Sequence, residues 1–116
     1  MIAVLFEAWP AEGQDKHYLD LAAALRAELD SIPGFISVER YASLAEPGKL
    51  LSLSFWRDEA AVAAWRNSAA HRATQAAGRG RVFADYRLRV AEVVRDYGLR
   101  DRDEAPRDSR AAHPAA

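Results

Sequence analysis

Trp65 and His71, six positions apart, are the residues of this chain best suited to chemistry on a small organic molecule. An indole offers a flat apolar wall that stacks on a planar ligand and excludes water. An imidazole, with an unperturbed pKa near ~6.5, exchanges protons at neutral pH. Residues six or seven apart fall on roughly one side of a helix, so wall and base share one pocket provided that any break between them is modest. Further on, Tyr86 supplies a phenol, and Arg87 and Arg89 supply cations able to hold an anionic or phenolate oxygen. The competing role for these arginines is to pair with acids across a sheet. His17 and His113 stand apart from any pattern. Three scattered histidines with no HxxxH spacing do not make a metal site. The absence of cysteine excludes disulfides, Cys-ligated zinc and thiol catalysis. No phosphate-cradling GxGxxG or GxxxxGK[ST] run occurs, and Gly78-Arg79-Gly80 is a turn signal, so no nucleotide cofactor is expected.

The elements that must position these groups follow from periodicity. Ile2, Val4 and Phe6 alternate with Ala3, Leu5 and Glu7, which predicts a first strand over Ile2 to Trp9. After Pro10 and Gly13, Tyr18, Leu21, Ala22, Leu25 and Leu29 recur at helical spacing, giving a helix from Gln14 to Ser31 that Pro33-Gly34 stops. Phe35 to Leu44 alternates again, with Ile36, Val38, Ala42 and Leu44 on one side. Ala45-Glu46-Pro47-Gly48 is a tight connection to a third strand, Lys49 to Trp56. Leu51, Leu53 and Phe55 share one face of it, and this apolar face is expected to meet the helices. Asp58 or its neighbour caps an Ala-rich helix carrying Trp65, and Asn67-Ser68 reads as a break with a fresh N-cap. A second helical piece from Ala69 carries His71 and Gln75. Tyr86, Leu88, Val90 and Val94 then alternate with Arg87, Arg89 and Val93 in a fourth strand.

Strand, helix, strand, strand, helix, strand is the order of a ferredoxin-like α+β fold, an antiparallel sheet with its helices on one face. The uncovered face would expose Phe35, Tyr41 and Trp56, more apolar surface than a monomer usually shows, and a symmetric homodimer, sheet against sheet, would cover it. From Tyr97 the pattern fails, so residues 1–97 are expected to form one domain and residues 98–116 an extended arm or disordered tail.

At 116 residues the chain suits one domain that buries ~65% of its unfolded surface without staples. With 50% hydrophobic and 28% charged residues it is neither a disordered nor a membrane chain. Sixteen basic and 17 acidic residues, interspersed, give no field to attract nucleic acid or an anionic membrane. The N-terminal residues lack the basic start of an export signal, and a cytoplasmic location is expected.

Within this frame the segment Leu51 to Val93 resembles the antibiotic biosynthesis monooxygenase (ABM) domain family, and the likeness extends over most of Met1 to Tyr97. Its marks are Gly34-Phe35 opening strand two, the strand exit Trp56-Arg57-Asp58-Glu59, the aromatic Trp65, the Ser-x-x-His run from Ser68 to His71, and Tyr86 entering strand four. The resemblance implies a protomer that dimerises into an α/β barrel, with a ligand cavity between helices and sheet. Characterised members include cofactor-independent oxygenases of aromatic polyketides and quinols, and haem degraders that use an Asn, a Trp and a His. Trp65 matches the haem degraders' tryptophan, but Gln75 falls where their histidine would stand and Ala8 near their asparagine, so haem degradation is not expected. For the polyketide oxygenases, a Trp followed six residues later by an acid-base Tyr maps onto Trp65 and His71, while their Asn becomes Ala61. The resemblance therefore implies a cofactor-independent monooxygenase of a small phenol, quinol or polyketide-like molecule. Its catalytic residues would be His71 and Trp65, and Trp65, Tyr86, Arg87 and Gln75 would contact substrate. The alternative is a non-catalytic ligand-binding or stress-response dimer.

Overall fold

The sheet is built around its first strand. The computed structural model describes residues 1–77 and 82–113, and the turn expected at Gly78-Arg79-Gly80 lies outside them. β1 (Ile2–Pro10) pairs antiparallel with β3 (Leu50–Trp56) on one side and β4 (Phe83–Glu92) on the other. β3 pairs in turn with β2 (Phe35–Ala42), so the order is β2-β3-β1-β4. Helices α1 (Asp15–Asp30), α2 (Glu59–Arg66) and α3 (Ala69–Ala77) complete the ferredoxin-like α+β architecture that the element order predicts. No described helix is long and apolar enough to cross a membrane.

Local chemistry explains the element ends. Asp58 caps α2, its Oδ1 accepting from the Ala61 amide at 2.9 Å. Ser68 does the same for α3, its Oγ accepting from the His71 amide at 3.2 Å. The break at Asn67-Ser68 thus separates two helices that follow one another directly. Between α1 and β2, Gly34 holds a φ of +89° and its carbonyl accepts from the Arg57 amide at 2.7 Å. Ile2, Leu29, Trp56, Ala61, Val62 and Trp65 form the core, with Phe35 and Val38 packed against it. Full burial of large apolar side chains of this kind contributes about 1.5–3 kcal/mol each.

One strand presents the opposite face to the one expected, and a second keeps its expected face, with Val38 inward, except at its ends. On β3 it is Ser52, Ser54 and Trp56 that meet the helices, with Trp56 only 2% exposed, while Leu51, Leu53 and Phe55 face away. The deciding contact is Trp56, which packs edge-on against Phe35 at 5.2 Å and donates its indole N–H to Ser54 Oγ at 2.9 Å. The Leu–Ser alternation points the leucine face inward, and the one large aromatic on the serine side, Trp56, overrides it by packing into the core. On β2 the register shifts between Phe35 and Ser37, a bulge that turns Phe35 inward with Trp56. Ile36 is left 52% exposed, and Leu44, beyond the strand end, is wholly exposed. Phe35 and Trp56 are accordingly not part of the open sheet face. That face carries Leu5, Leu53, Phe55 and Tyr41, together with Glu7, which bridges Lys49 (3.0 Å) and Arg89 (2.8 Å). Lys49 first, and Arg89 with it, hold the Glu7 carboxyl below its ordinary pKa.

β4 starts three residues earlier than expected, at Phe83, and stops at Glu92, so Val94 lies outside it and is exposed. The chain then runs out as an arm folded upon itself. Arg102 donates to the carbonyls of Gly98, Ser109 and His113, each at 3.2 Å, and lies over the Tyr97 ring. Arg110 donates to the carbonyls of Arg102 and Asp103, and the short helix α4 (Arg107–Ala112) closes the hook. Guanidinium–carbonyl bonds take the place of a core here, so no apolar period announced the hook. The radius of gyration of 16.8 Å exceeds the ~13 Å of a compact chain of this length, consistent with a projecting arm. Deleting residues 107–116 is expected to leave the melting temperature nearly unchanged. A drop of several degrees in a thermal melt would mean that the arm supports the domain.

Candidate functional site

The inner face of the sheet and the facing sides of α1, α2 and α3 border a partly open cavity of about 580 Å³, within the size range of small-molecule sites. Val4, Phe6, Leu88 and Val90 form its apolar floor. At one end Phe83 meets Phe6 at 5.4 Å and Tyr18 at 5.3 Å, and Tyr86 lies 5.6 Å from Phe6, an aromatic cluster that walls off that end.

Trp65 and His71 meet at this cavity although a helix break separates them. Their rings stack with centroids 4.6 Å apart and planes 16° from parallel. The Ser68 cap sets the start of α3 so that its first turn folds back over the end of α2. His71 Nδ1 lies 3.3 Å from the Trp65 carbonyl oxygen and 3.5 Å from Gln75 Nε2. The carbonyl can only accept, so the shorter contact calls for a proton on Nδ1 and leaves the Nε2 lone pair free in the neutral ring. Gln75 is oriented by Arg72, which donates to Gln75 Oε1 at 3.0 Å and also to Asn67. Burial lowers the His71 pKa below its ordinary value; the Trp65 carbonyl opposes that shift and the Arg72 charge adds to it. The imidazole is therefore neutral at pH 7 and can act as a base.

Of the residues singled out in the sequence, Trp65, His71, Gln75 and Tyr86 line the cavity together. Arg87 does not: Tyr86, Leu88 and Val90 take the inner side of β4, and Arg87 shares the outer side with Arg89, which is ion-paired to Glu7. The alternation of the strand, one residue up and one down, fixes that outcome. Ala8 is fully buried in β1. His17 contacts Gln14 on the surface, and the His113 carbonyl is held by Arg102 in the arm. Among the described residues no three His, Asp or Glu side chains converge as a metal site would need.

Three polar residues at the cavity wall, Arg40, Ser52 and Ser54, were not anticipated as site residues. Arg40 had a legible signal, because it shares the parity of Val38 and Ala42 and so is the one cation in an apolar row. Ser52 and Ser54 had none while the face of β3 was assigned to the leucines.

Comparison with known proteins gives a consistent result. A family model described as antibiotic biosynthesis monooxygenase matches residues 1–77. The chain is 50% identical over 94 residues to a jasmonate monooxygenase from Pyricularia oryzae, a match that takes in 81% of this chain and 44% of that protein. It therefore spans less than half of that relative's length. It is also 32% identical over 94 residues to the uncharacterized protein YqjZ of Bacillus subtilis, covering 80% of this chain and 79% of that protein. Among solved structures, Rv0793 from Mycobacterium tuberculosis superposes with a TM-score of 0.74 at 18% identity, over 84% of this chain and 98% of that one, a likeness of fold alone.

Proposed function

The chain belongs to the antibiotic biosynthesis monooxygenase family, and from that premise we propose that it is a cofactor-independent monooxygenase of a small, electron-rich aromatic molecule of the phenol or quinol class. The observation that carries this reading is the Trp65–His71 stack at the cavity wall, with the imidazole neutral and its Nδ1 engaged by the Trp65 carbonyl. His71 Nε2 takes the proton of the phenol or of an activated C–H, and Trp65 holds the planar anion against the wall. The anion is a strong enough reductant to pass an electron to dioxygen and then combine with the reduced oxygen. The peroxide anion takes back the proton held by His71, and loss of water from the resulting hydroperoxide leaves a carbonyl. One oxygen atom ends in the product and the other in water, and the substrate supplies all the electrons.

The open cavity supports this reading over a non-catalytic module whose interior is filled by side chains, and turnover separates it from a module that only binds a small ligand. The half-identical relative is named for monooxygenation, which supports the reaction class. Oxygen uptake on anthrones, naphthols and quinols, with isotopically labelled dioxygen, tests it. One labelled atom per product is expected; uptake no faster than without protein, or stoichiometric peroxide with no labelled product, would overturn it.

The same reading includes a homodimer formed through the open sheet face. Leu5, Leu53 and Phe55, each half-buried, share that face with the exposed Tyr41, an apolar surface that a second copy would cover, and the self-complementary contact would close with two-fold symmetry. Sedimentation at micromolar concentration is expected to show a dimer, and Phe55→Glu to shift it to monomer. A wild-type monomer would sink the interface.

A further inference from the structure

The oxygenation proposed above makes no use of the guanidinium on the cavity wall. β2 sets Arg40 opposite Ser52 and places the Val38–Ser54 pair next along the ladder. One cation and two hydroxyls thus share a corner of an otherwise apolar surface. Arg40 Nε is shut off from solvent and has no hydrogen-bond partner among the described residues. Glu39, its neighbour in sequence, points to the opposite sheet face and accepts from the Tyr41 hydroxyl at 2.8 Å. Arg26, Arg57 and Arg89, by contrast, each face a carboxylate. Ser54 Oγ already accepts from the Trp56 indole, so its hydroxyl proton remains to be donated. Among the described residues the cavity is lined by Arg40, Arg66 and Arg72 and by no Asp or Glu.

A guanidinium whose buried Nε–H has no acceptor is unfavourable unless something brings one to it. Every group in this corner can donate and none brings a negative charge. We propose that Arg40, with Ser52 and Ser54, is an anion-binding corner, and that the cavity selects an amphipathic carboxylic acid. The acid's ring body would lie along Val4, Phe6 and Leu88, and its carboxylate would engage the guanidinium fork. A carboxylate fits the planar pair of N–H groups better than a neutral hydroxyl, and charge makes each bond stronger. Arg40 would then fix which end of the substrate enters first and so which carbon is presented to His71. The proposal rests on the reading that this cavity holds the substrate, but not on the chemistry assigned to His71.

Calorimetric titration of the protein with naphthoate and with its neutral isostere acetonaphthone tests it without turnover. Naphthoate is expected to bind about 10- to 100-fold more tightly, the range of a hydrogen bond to a charged partner. Arg40→Met should abolish that preference by weakening naphthoate alone, and Arg40→Lys should restore part of it, keeping the charge but losing the fork. Because Arg40→Met removes an unpartnered polar group, it should fold, and the wild-type ligand pair decides the question in any case. Equal affinity of the wild type for both ligands overturns the anion corner and leaves the substrate cavity standing. Failure of both ligands to bind overturns the anion corner and the substrate cavity together. A preference that survives in Arg40→Met assigns the anion to Arg66 or Arg72 and overturns the role of Arg40.

Discussion

His71→Ala is expected to slow oxygen uptake at saturating substrate by about 10²- to 10⁴-fold, the range typical of positioned general-base catalysis. The loss should fall on kcat rather than KM, because proton transfer is made only on the way to the transition state. Trp65→Phe, which keeps an aromatic wall of smaller area, should act mainly on KM. A pH profile separates a base from a merely structural ring. The folded-state pKa of His71 lies below its ordinary 6.5 because burial penalises the charged form, so the active neutral imidazole persists at pH 7. kcat/KM should rise with pH along one ionisation centred below 6.5 and then level off. The same shift has a consequence for folding. Below pH 6.5 the unfolded chain binds the proton that the native ring resists, so stability should fall as pH drops from 6.5 through the folded-state pKa. In His71→Ala this part of the acid sensitivity should vanish. If a responsive substrate is turned over by His71→Ala at the wild-type rate, the base is another group, and Tyr86, on the same cavity, is the next to replace.

Gly34→Ala is expected to cost about 2–5 kcal/mol of folding stability, the sum of a positive-φ penalty and an overpacking penalty. At φ +89° an alanine is strained wherever it sits. In addition, a Cβ on Gly34 would stand 2.8 Å from Ala61 Cβ on α2, closer than two carbons can approach. Gly48→Ala is the internal control, since its φ is +83° but nothing lies within 4 Å of the added carbon. Urea midpoints at a common slope should show Gly34→Ala well below Gly48→Ala, with the difference reporting the clash. Ala61→Gly should recover much of that difference in the double variant, because the two sites share one contact. Equal losses at Gly34 and Gly48 would show that α2 can move aside and that the approach of β2 to α2 is not tight. The position also ties fold to site, because α2 carries Trp65.

The architecture was legible in the chain because local signals agreed with one another. Period-two alternation in β1, helical spacing from Tyr18 to Leu29, the turn residues Pro33-Gly34 and Pro47-Gly48, and the caps at Asp58 and Ser68 each act over a few residues. Such signals survive reading one at a time. The pairing of Trp65 with His71 was legible for the same reason, since their separation is short and only the size of the break was open. What the sequence could not decide was direction. On β3 the alternation of Leu51, Leu53 and Phe55 with Ser52 and Ser54 pointed the leucines inward, and the packing of Trp56 against Phe35 chose the other face. A single inserted residue at the β2 bulge then sent Ile36 outward and Phe35 inward. These choices are made by contacts between residues more than a dozen positions apart. They decide that Ser52 and Ser54 lie on the cavity wall, because in a strand one step of register exchanges every side chain between core and surface.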